Sequence, residues 1–512
     1  MNAYPRNRWA SLAVLALVSV VIGLDTTILN VALPSLARGL SATTSELQWF
    51  ADSYLLVLAV LLLPAGLLGD LVGRKPMTVV SLVVFGIGSV WSSYAGSPDS
   101  LIAARSLMGA GAALVTPLTY SWMMALFPDD ERPKAMGVLG GAGFVGMPLG
   151  PIVGGWLLDH YFWGSVFLIN VPLIVVAVVA GIVLLPSGGR IPGRQVDVPG
   201  IVLSALGLAA LTYGMIEAPV RGWTDSLVLL TAVGGVVLLV AFGWLETRRR
   251  EAQALMNMTL WRLPAFTWGA VVMTVASLLG IVAMFTMPTY FQAVLGVNAL
   301  GSGVRLLPML AGVVIGIVVG VRLSGSVGYK VAALVGLALV IVGGLLALRT
   351  EVTTGYAWVG GWLTLFGAGF GTLMIVGQNL ALNTLDESRA GIGGAIVQVM
   401  RQTGSVIGIA VLGSALNAAY RDDVDVTGLP GPLADTVRDS VQGGLVVAQK
   451  VGANLVYSVK NALVAGIHLQ MWLSIGLAVL CTVGALILMP KDLGRVEDRS
   501  SSQESPDESY SR

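Results

Sequence analysis

The stretch Gly146-Met-Pro-Leu-Gly-Pro-Ile-Val-Gly-Gly155 decides the fold of this 512-residue chain. Three of its glycines are spaced four residues apart, so on a helix they share one face, and small residues on one face let membrane helices pack closely. Its two prolines remove backbone donors and should bend the helix, which a membrane tolerates when neighbours satisfy the freed carbonyls. We predict either static packing or packing at an interface that moves during function. The residues concerned are Gly146, Pro148, Gly150, Pro151, Gly154 and Gly155.

Apolar blocks of similar length precede and follow this stretch. Hydrophobic residues make up 55% of the chain and charged residues 11%, whereas ordinary soluble domains are roughly 25% charged. Each block approaches the ~20 residues that span a hydrocarbon core. We therefore predict an all-α integral membrane protein with about fourteen spans. They cover approximately residues 10–33, 53–69, 77–96, 101–126, 135–158, 165–185, 200–217, 226–245, 266–293, 303–321, 331–348, 355–382, 392–416 and 466–489.

Lysine and arginine residues collect in alternate loops. Cytoplasmic loops carry the excess of these residues, and the pattern fits if the N-terminus is cytoplasmic. We predict a multi-pass protein of the cell (inner or plasma) membrane with both termini in the cytoplasm. The loops on that side hold Arg74, Lys75, Arg132, Lys134, Arg190, Arg194, Arg248 to Arg250, Arg262, Arg322 and Lys330, and the short opposite loops hold Arg38, Arg221, Arg305 and Arg349.

The composition argues against several other classes of protein. A net charge of +1 gives no reason to expect a nucleic-acid partner, which usually requires clustered basic residues. The single Cys481 rules out an intramolecular disulfide. His160 and His468 are the only histidines, and the sequence shows no metal-ligand cluster and no phosphate-cradling loop. We predict no enzyme activity, no cofactor and no metal.

Asp25 and Arg105 are charged residues within otherwise apolar spans. A charge at the centre of a spanning helix costs about 2.5–3.5 kcal/mol, so it indicates function. A buried carboxyl group binds a proton more readily than an exposed one, and we predict that Asp25 carries protons. The alternative is a purely structural aspartate bonded to neighbouring hydroxyls, since Thr26, Thr27 and Asn30 are polar residues close to it in the sequence. For Arg105 the alternative is a site near the external helix end, where its side chain reaches the interface.

Asp52 opens the second predicted span, between Trp49 and Tyr54. A carboxylate beside aromatic rings suits a cationic substrate, so these three residues are candidates for substrate binding. Tryptophan and tyrosine also concentrate at membrane interfaces, and an interfacial role for this group stays open.

A turn follows the same span, in the segment Gly66-Leu-Leu-Gly-Asp-Leu-Val-Gly-Arg-Lys75. Its glycines permit a tight turn and close helix approach. Loop anchoring by the positive-inside rule explains Arg74 and Lys75 but not Asp70, which could cap a neighbouring helix. We take Gly66, Asp70, Gly73 and Arg74 as candidates for conformational control.

Two segments fall outside the membrane pattern. Residues 421–460 form a predicted external loop before the last span, either an interfacial helix or hairpin or a flexible loop. Residues 491–512 are rich in Ser, Asp and Glu and form a predicted disordered cytoplasmic tail.

Together these segments resemble the major facilitator superfamily, and more narrowly its fourteen-span drug:proton antiporters of the quaternary-ammonium branch. Residues 66–75 are similar to its loop signature, Arg105 to its fourth-span signature, 146–155 to its antiporter signature, and 25–34 and 163–172 to segments typical of that branch. Leu71 and Met108 depart from the common residues. Spans ten and thirteen lack the acidic residues that exporters of divalent cations in this branch tend to carry.

This resemblance implies a fold of two six-helix halves with an inserted central helix pair. The halves would be residues 1–190 and 263–490, and the central pair 191–262. It implies a monomer that exports amphipathic, cationic drugs or antibiotics in exchange for protons, with Asp25 as the main proton carrier and Arg105 tuning it. A nutrient uptake symporter shares the architecture and is the alternative. The partners of the antiporter would be the drug, protons and the lipid bilayer.

Overall fold

The computed structural model describes residues 7–42, 44–128, 131–187, 197–249, 258–382, 385 and 390–490, and these are helical without any strand. The helices are α1 Arg8–Gly39, α2 Thr44–Val72, α3 Arg74–Ser93, α4 Pro98–Leu126, α5 Arg132–His160, α6 Ser165–Leu168, α7 Asn170–Leu184, α8 Val198–Arg221, α9 Ser226–Thr247, a 3-10 helix Met258–Arg262, α10 Pro264–Ala293, α11 Ala299–Arg305, α12 Leu307–Ser326, α13 Tyr329–Ala347, α14 Tyr356–Leu382, α15 Ala390–Asp423, α16 Gly431–Asp439, α17 Val441–Val451 and α18 Ala453–Leu488.

The described residues form thirteen helical segments long and apolar enough to cross a membrane. A shorter apolar stretch, Pro264–Gly280, lies within α10. The prediction of an all-α membrane fold is confirmed, and the count of fourteen spans stays a prediction. Several helices exceed the apolar blocks that predicted them. The sequence predicts the last span from residue 466, whereas α18 begins at Ala453. The difference arises because the first turns of α18 carry polar residues, which hydropathy does not assign to a span.

Helix starts follow local capping chemistry. Ser97 accepts a hydrogen bond from the Ser100 backbone N–H, and Pro98 occupies the first turn of α4. Gly73 precedes α3 with φ +106°, and Gly328 precedes α13 with φ +91°. Only glycine adopts these angles without strain. The turns before α3 and α13 therefore use the same backbone device, although their sequences match poorly.

One helix of the predicted central pair packs against helices of both predicted halves. α8 lies against α9 and also contacts α2 and α15. The Trp49 ring of α2 lies 6.0 Å from the Tyr213 ring of α8. The Trp223 indole, after α8, donates a hydrogen bond to the Ser414 hydroxyl of α15 at 3.1 Å. α8 thus connects one helix from each predicted half.

The segment 421–460 contains helices rather than a flexible loop. α16 and α17 fold against the ends of α15 and α18, and the Tyr420 hydroxyl donates to the Val437 carbonyl at 2.8 Å. Lys460 donates to the Val294 carbonyl at 3.0 Å, which ties α18 to the end of α10. Its external placement stays a prediction. The predicted tail 491–512 lies outside the described residues.

Candidate functional site

The glycine face of α5 packs directly on α1. A Cβ atom at Gly146 would overlap the Val20 carbonyl oxygen, and one at Gly150 would overlap the Thr27 hydroxyl. Gly154 lies in the same way against Ile28. The Thr27 hydroxyl donates to the Met147 carbonyl at 2.6 Å, so a hydrogen bond joins the two backbones where they come closest.

Other members of that motif lie elsewhere or are not described. Gly155 faces away from α1, and the nearest atoms to a Cβ there are in Leu300 of α11, at 4.0 Å. Pro151 lies against Gly303 of α11. The Pro148 side chain lies outside the described residues.

This packing places Asp25 of α1 in contact with Arg105 of α4. The Arg105 Nη1 atom lies 2.7 Å from the Asp25 Oδ2 atom, and the two residues are 1% and 0% exposed. The Arg105 Nε atom donates to the Phe50 carbonyl at 3.0 Å. The alternative that Arg105 reaches the membrane interface is therefore wrong, because the carboxylate and the carbonyl hold its guanidinium inside the protein.

Asn170 at the start of α7 completes the ion pair. Its Nδ2 atom donates to the Asp25 Oδ1 atom at 3.1 Å, and the Ser89 hydroxyl lies 3.3 Å from the same nitrogen. Both carboxylate oxygens of Asp25 thus have a partner. The neighbouring threonines do not supply it, since the Thr26 hydroxyl donates to the Ile22 carbonyl of its own helix at 2.8 Å. The neighbouring hydroxyls therefore do not bind Asp25, and its role as a proton carrier stays a prediction.

Aromatic and sulfur groups surround the arginine. The Arg105 guanidinium lies 4.6 Å from the centre of the Tyr54 ring and 5.9 Å from that of Phe167. The Met108 sulfur lies 3.7 Å from the Arg105 Nη1 atom and 3.4 Å from the Ser92 hydroxyl. Met108, the departure in the fourth-span signature, therefore packs directly against the ion pair as a weak acceptor.

A cavity of about 300 Å³ opens beside the ion pair. Side chains of α1, α2, α4 and α5 line one side, and α10, α12, α14 and α15 line the other. Asp52, Tyr54 and Arg105 all reach it, together with Asn30 of α1. The structure does not bring Trp49 into the cavity, because its ring packs on Tyr213 of α8.

The polar residues of α15 were not among the site residues predicted from the sequence. Gln398, Arg401, Gln402 and Ser405 all line the cavity. Their spacing of three, four and seven residues from Gln398 puts them on one helix face. Their polar stripe within predicted span thirteen is a sequence signal that indicates a cavity-facing surface. The sequence prediction for that span considered only its lack of acidic residues.

The turn after α2 lies away from the cavity. Gly66 and Arg74 are buried, and the Arg74 carbonyl accepts a hydrogen bond from Thr78 at 2.8 Å. The Asp70 side chain lies outside the described residues. The motif therefore has a defined turn at Gly73, and its conformational role stays a prediction.

Both histidines have structural surroundings. The His160 ring stacks on Trp156 with centroids 5.0 Å apart, and its Nδ1 atom lies 2.8 Å from the Trp156 carbonyl. The His468 Nε2 atom lies 2.8 Å from the Thr350 carbonyl. In the part of the chain that the structure describes, no three His, Cys, Asp or Glu residues form a group that could hold a metal ion.

Comparisons with known proteins agree with this architecture. The family profile of the Major Facilitator Superfamily matches residues 15–409. The tetracenomycin C resistance and export protein of Streptomyces glaucescens is 31% identical over 448 residues, 86% of this chain and 82% of that protein. The multidrug efflux pump LfrA of Mycolicibacterium smegmatis is 30% identical over 457 residues, 88% and 89% of the two chains.

A solved structure supports the fold alone. The proton:xylose symporter XylE superimposes with a TM-score of 0.62 at 13% sequence identity, over 94% of this chain and 96% of that one. At this identity the likeness carries no information about substrate.

Proposed function

Since this chain belongs to the Major Facilitator Superfamily, we propose that it is a proton-coupled antiporter that exports amphipathic, cationic drugs or antibiotics across the cell membrane. The names of its relatives, which refer to export and multidrug efflux, support outward transport of drugs or antibiotics. We also propose that it acts as a monomer of two six-helix halves. The observation that carries the proposal is the fully buried Asp25–Arg105 ion pair at the edge of the cavity.

Proton binding at Asp25 has a direct electrostatic consequence. Breaking a buried ion pair by removing one charge leaves the other uncompensated, at a cost of about 3–5 kcal/mol. Protonation of Asp25 would remove the negative charge that faces Arg105, whose other close contacts are the Phe50 carbonyl, the Met108 sulfur and the Tyr54 ring. A rearrangement of α1 against α4 that gives Arg105 a new partner then becomes favourable. Protonation is thereby coupled to a change of conformation.

The glycine face provides the surface for that movement. α1 carries Asp25, and its backbone touches the glycines of α5 with few side chains between them. Helices that meet through small residues can shift without large side chains passing one another. We assign Gly146, Gly150 and Gly154 to this interface.

Asp52 gives the cavity a carboxylate for the cationic part of a substrate. It is half-buried on α2, and apolar groups such as Leu29, Leu55 and Val406 line the remaining wall. Each ~100 mV of membrane potential supplies about 2.3 kcal/mol for every charge that moves inward. A one-for-one exchange of a proton with a monovalent cation moves no net charge, so the pH gradient alone drives the cation outward, and the membrane potential contributes once a second proton moves inward.

The test is substrate-dependent proton release from purified protein in liposomes, with rhodamine 6G as the cationic probe. The wild type should release protons when the probe is added. When the lumen is acidified, it should accumulate the probe in the lumen against the concentration gradient of the probe. Asp25→Asn should do neither, because the amide keeps an oxygen for Arg105 but does not titrate.

Asp99→Asn is the matched control, since Asp99 is an exposed carboxylate at the start of α4, the helix that carries Arg105. This variant should behave as the wild type. Probe-dependent proton release by Asp25→Asn at the wild-type rate would contradict the assignment of the proton carrier. Accumulation of the probe in the direction of the proton flow would instead identify a symporter.

A further inference from the structure

The cavity contains a second charged group that the proposed mechanism does not use. Arg401 of α15 lies half-buried in the lining, on the side formed by the predicted C-terminal half. In the described part of the chain it forms no salt bridge. Arg105, the other arginine of the lining, is neutralised by Asp25. An intramembrane charge without a protein counter-ion indicates a functional site.

Neighbouring side chains hold Arg401 in position and leave its outer nitrogens available. The Arg401 Nε atom donates to the Gln398 Oε1 atom at 2.9 Å. Gln398 is 2% exposed, and the Tyr120 hydroxyl lies 3.4 Å from the same oxygen. This hydrogen bond fixes the guanidinium plane, and its Nη1 and Nη2 atoms have no hydrogen-bond partner among the described residues.

Two residues of the same lining carry buried donor atoms without a hydrogen-bond partner among the described residues. The Gln378 Nε2 atom of α14 and the Tyr54 hydroxyl of α2 are buried and unpaired among the described residues, and the two residues are 5% and 2% exposed. Buried polar groups normally have a hydrogen-bond partner, and a small side-chain movement would let these two donors bind an acceptor in the cavity. Arg401, Gln378 and Tyr54 are defined here as the donor group of the cavity.

We propose that the donor group binds an ionised oxygen of the substrate, so that the exported molecules include aromatic compounds with a carboxylate or phenolate. This rests on the proposed function and specifies its substrate class. The planar fork of a guanidinium matches a carboxylate with two parallel, charge-assisted hydrogen bonds, which are stronger than the bonds to a neutral acceptor. The apolar wall around it, with Met273, Met374 and Ile409, fits an aromatic body.

The charges of the cavity then have opposite signs on its two sides. Asp52 belongs to α2 and Arg401 to α15, and they do not form an ion pair with each other. A zwitterionic substrate can place its cationic end at Asp52 and its oxygen at Arg401. Such a molecule brings an anionic oxygen to Arg401, whereas a simple cation leaves Arg401 uncompensated.

The test compares two probes that differ only at one carboxyl group, which is free in one and esterified in the other. Rhodamine B and its ethyl ester have the same cationic ring system, but only the acid has a carboxylate. Their dissociation constants are measured by fluorescence anisotropy with the purified full chain in nanodiscs, with empty nanodiscs as the blank. The wild type should bind the acid more tightly than the ester. Arg401→Gln should reduce that preference about tenfold, since hydrogen bonds to charged groups have this strength.

Two other variants make the result specific. Arg401→Lys keeps the charge but loses the fork, so it should retain an intermediate preference. Arg438→Gln changes an exposed arginine of α16 and should keep the wild-type preference. Equal binding of acid and ester by the wild type, or an unchanged preference in both Arg401 variants, would overturn the inference. Proton-driven export of the ester by the wild type tests the proposed function separately, so the two can fail independently.

Discussion

Arg105 and Asp25 are separated by eighty positions in the chain and form one unit in the fold. Arg105→Met should leave the Asp25 carboxylate buried without its cation, and we expect a loss of about 3–5 kcal/mol of stability. The double variant Asp25→Leu with Arg105→Met should be closer to the wild type than Arg105→Met alone, because no unpaired charge remains. Thermal unfolding in one detergent measures both. A double variant as unstable as the single one would show that the pair does not act as a unit.

At the scale of residues, the sequence predicts which charges matter but not their partners. Asp25 and Arg105 stand out because charge is costly in an apolar span. Their pairing requires α1 and α4 to be neighbours, and Asn170 joins them only because α7 begins beside α1. Arg401 lies within a predicted span, but its role is not predictable there, because a polar stripe on a single helix does not show which cavity it faces.

The contact of α1 with α5 offers a test at the scale of the helix. Gly150→Ala would place a methyl group against the Thr27 hydroxyl and the Ile28 backbone nitrogen. Overpacking of this kind costs about 1–3 kcal/mol, and we expect a lower unfolding temperature and slower export of rhodamine 6G. Gly155→Ala is the matched control, because its methyl group would meet nothing closer than Leu300 at 4.0 Å. Equal effects of both substitutions would contradict the assignment of the α1 interface to one glycine face.

The helices are predictable because the backbone N–H and C=O groups of each apolar block must form hydrogen bonds with one another in a membrane. Their ends are less so. α15 continues to Asp423 and α18 begins at Ala453, since a helix can extend into water through polar turns that hydropathy excludes. The separation of α6 from α7, and of α11 from α12, depends on local backbone geometry that an apolar block does not reveal.

At the scale of the whole molecule, the arrangement of the helices is predicted by the family resemblance and not by the residues alone. Hydropathy gives spans and no neighbours, and the position of α8 between α2 and α15 depends on surfaces such as Trp49 with Tyr213. The cavity likewise exists only when helices from both predicted halves meet. Its lining includes residues as distant in the chain as Asn30 and Arg401.

The meeting of the two predicted halves provides a test of movement. A Cβ atom at Gly155 of α5 would lie 4.0 Å from the Cβ atom of Leu300 of α11, within the 3.5–4.5 Å typical of a disulfide. Gly155→Cys with Leu300→Cys, in a Cys481→Ser background that removes the native thiol, should therefore cross-link on mild oxidation. Because alternating access requires the halves to move against each other, we expect oxidation to abolish export and reduction to restore it.

Each single-cysteine variant in the same background separates the cross-link from the substitutions. Both should export rhodamine 6G equally well before and after oxidation, because neither can form an intramolecular disulfide. A fully cross-linked double variant that exports as fast as the same protein after chemical reduction would show that α5 and α11 stay together throughout the cycle. The movement would then have to occur at other contacts between the halves, such as Tyr120 with Gln398, where α4 meets α15 beside the cavity.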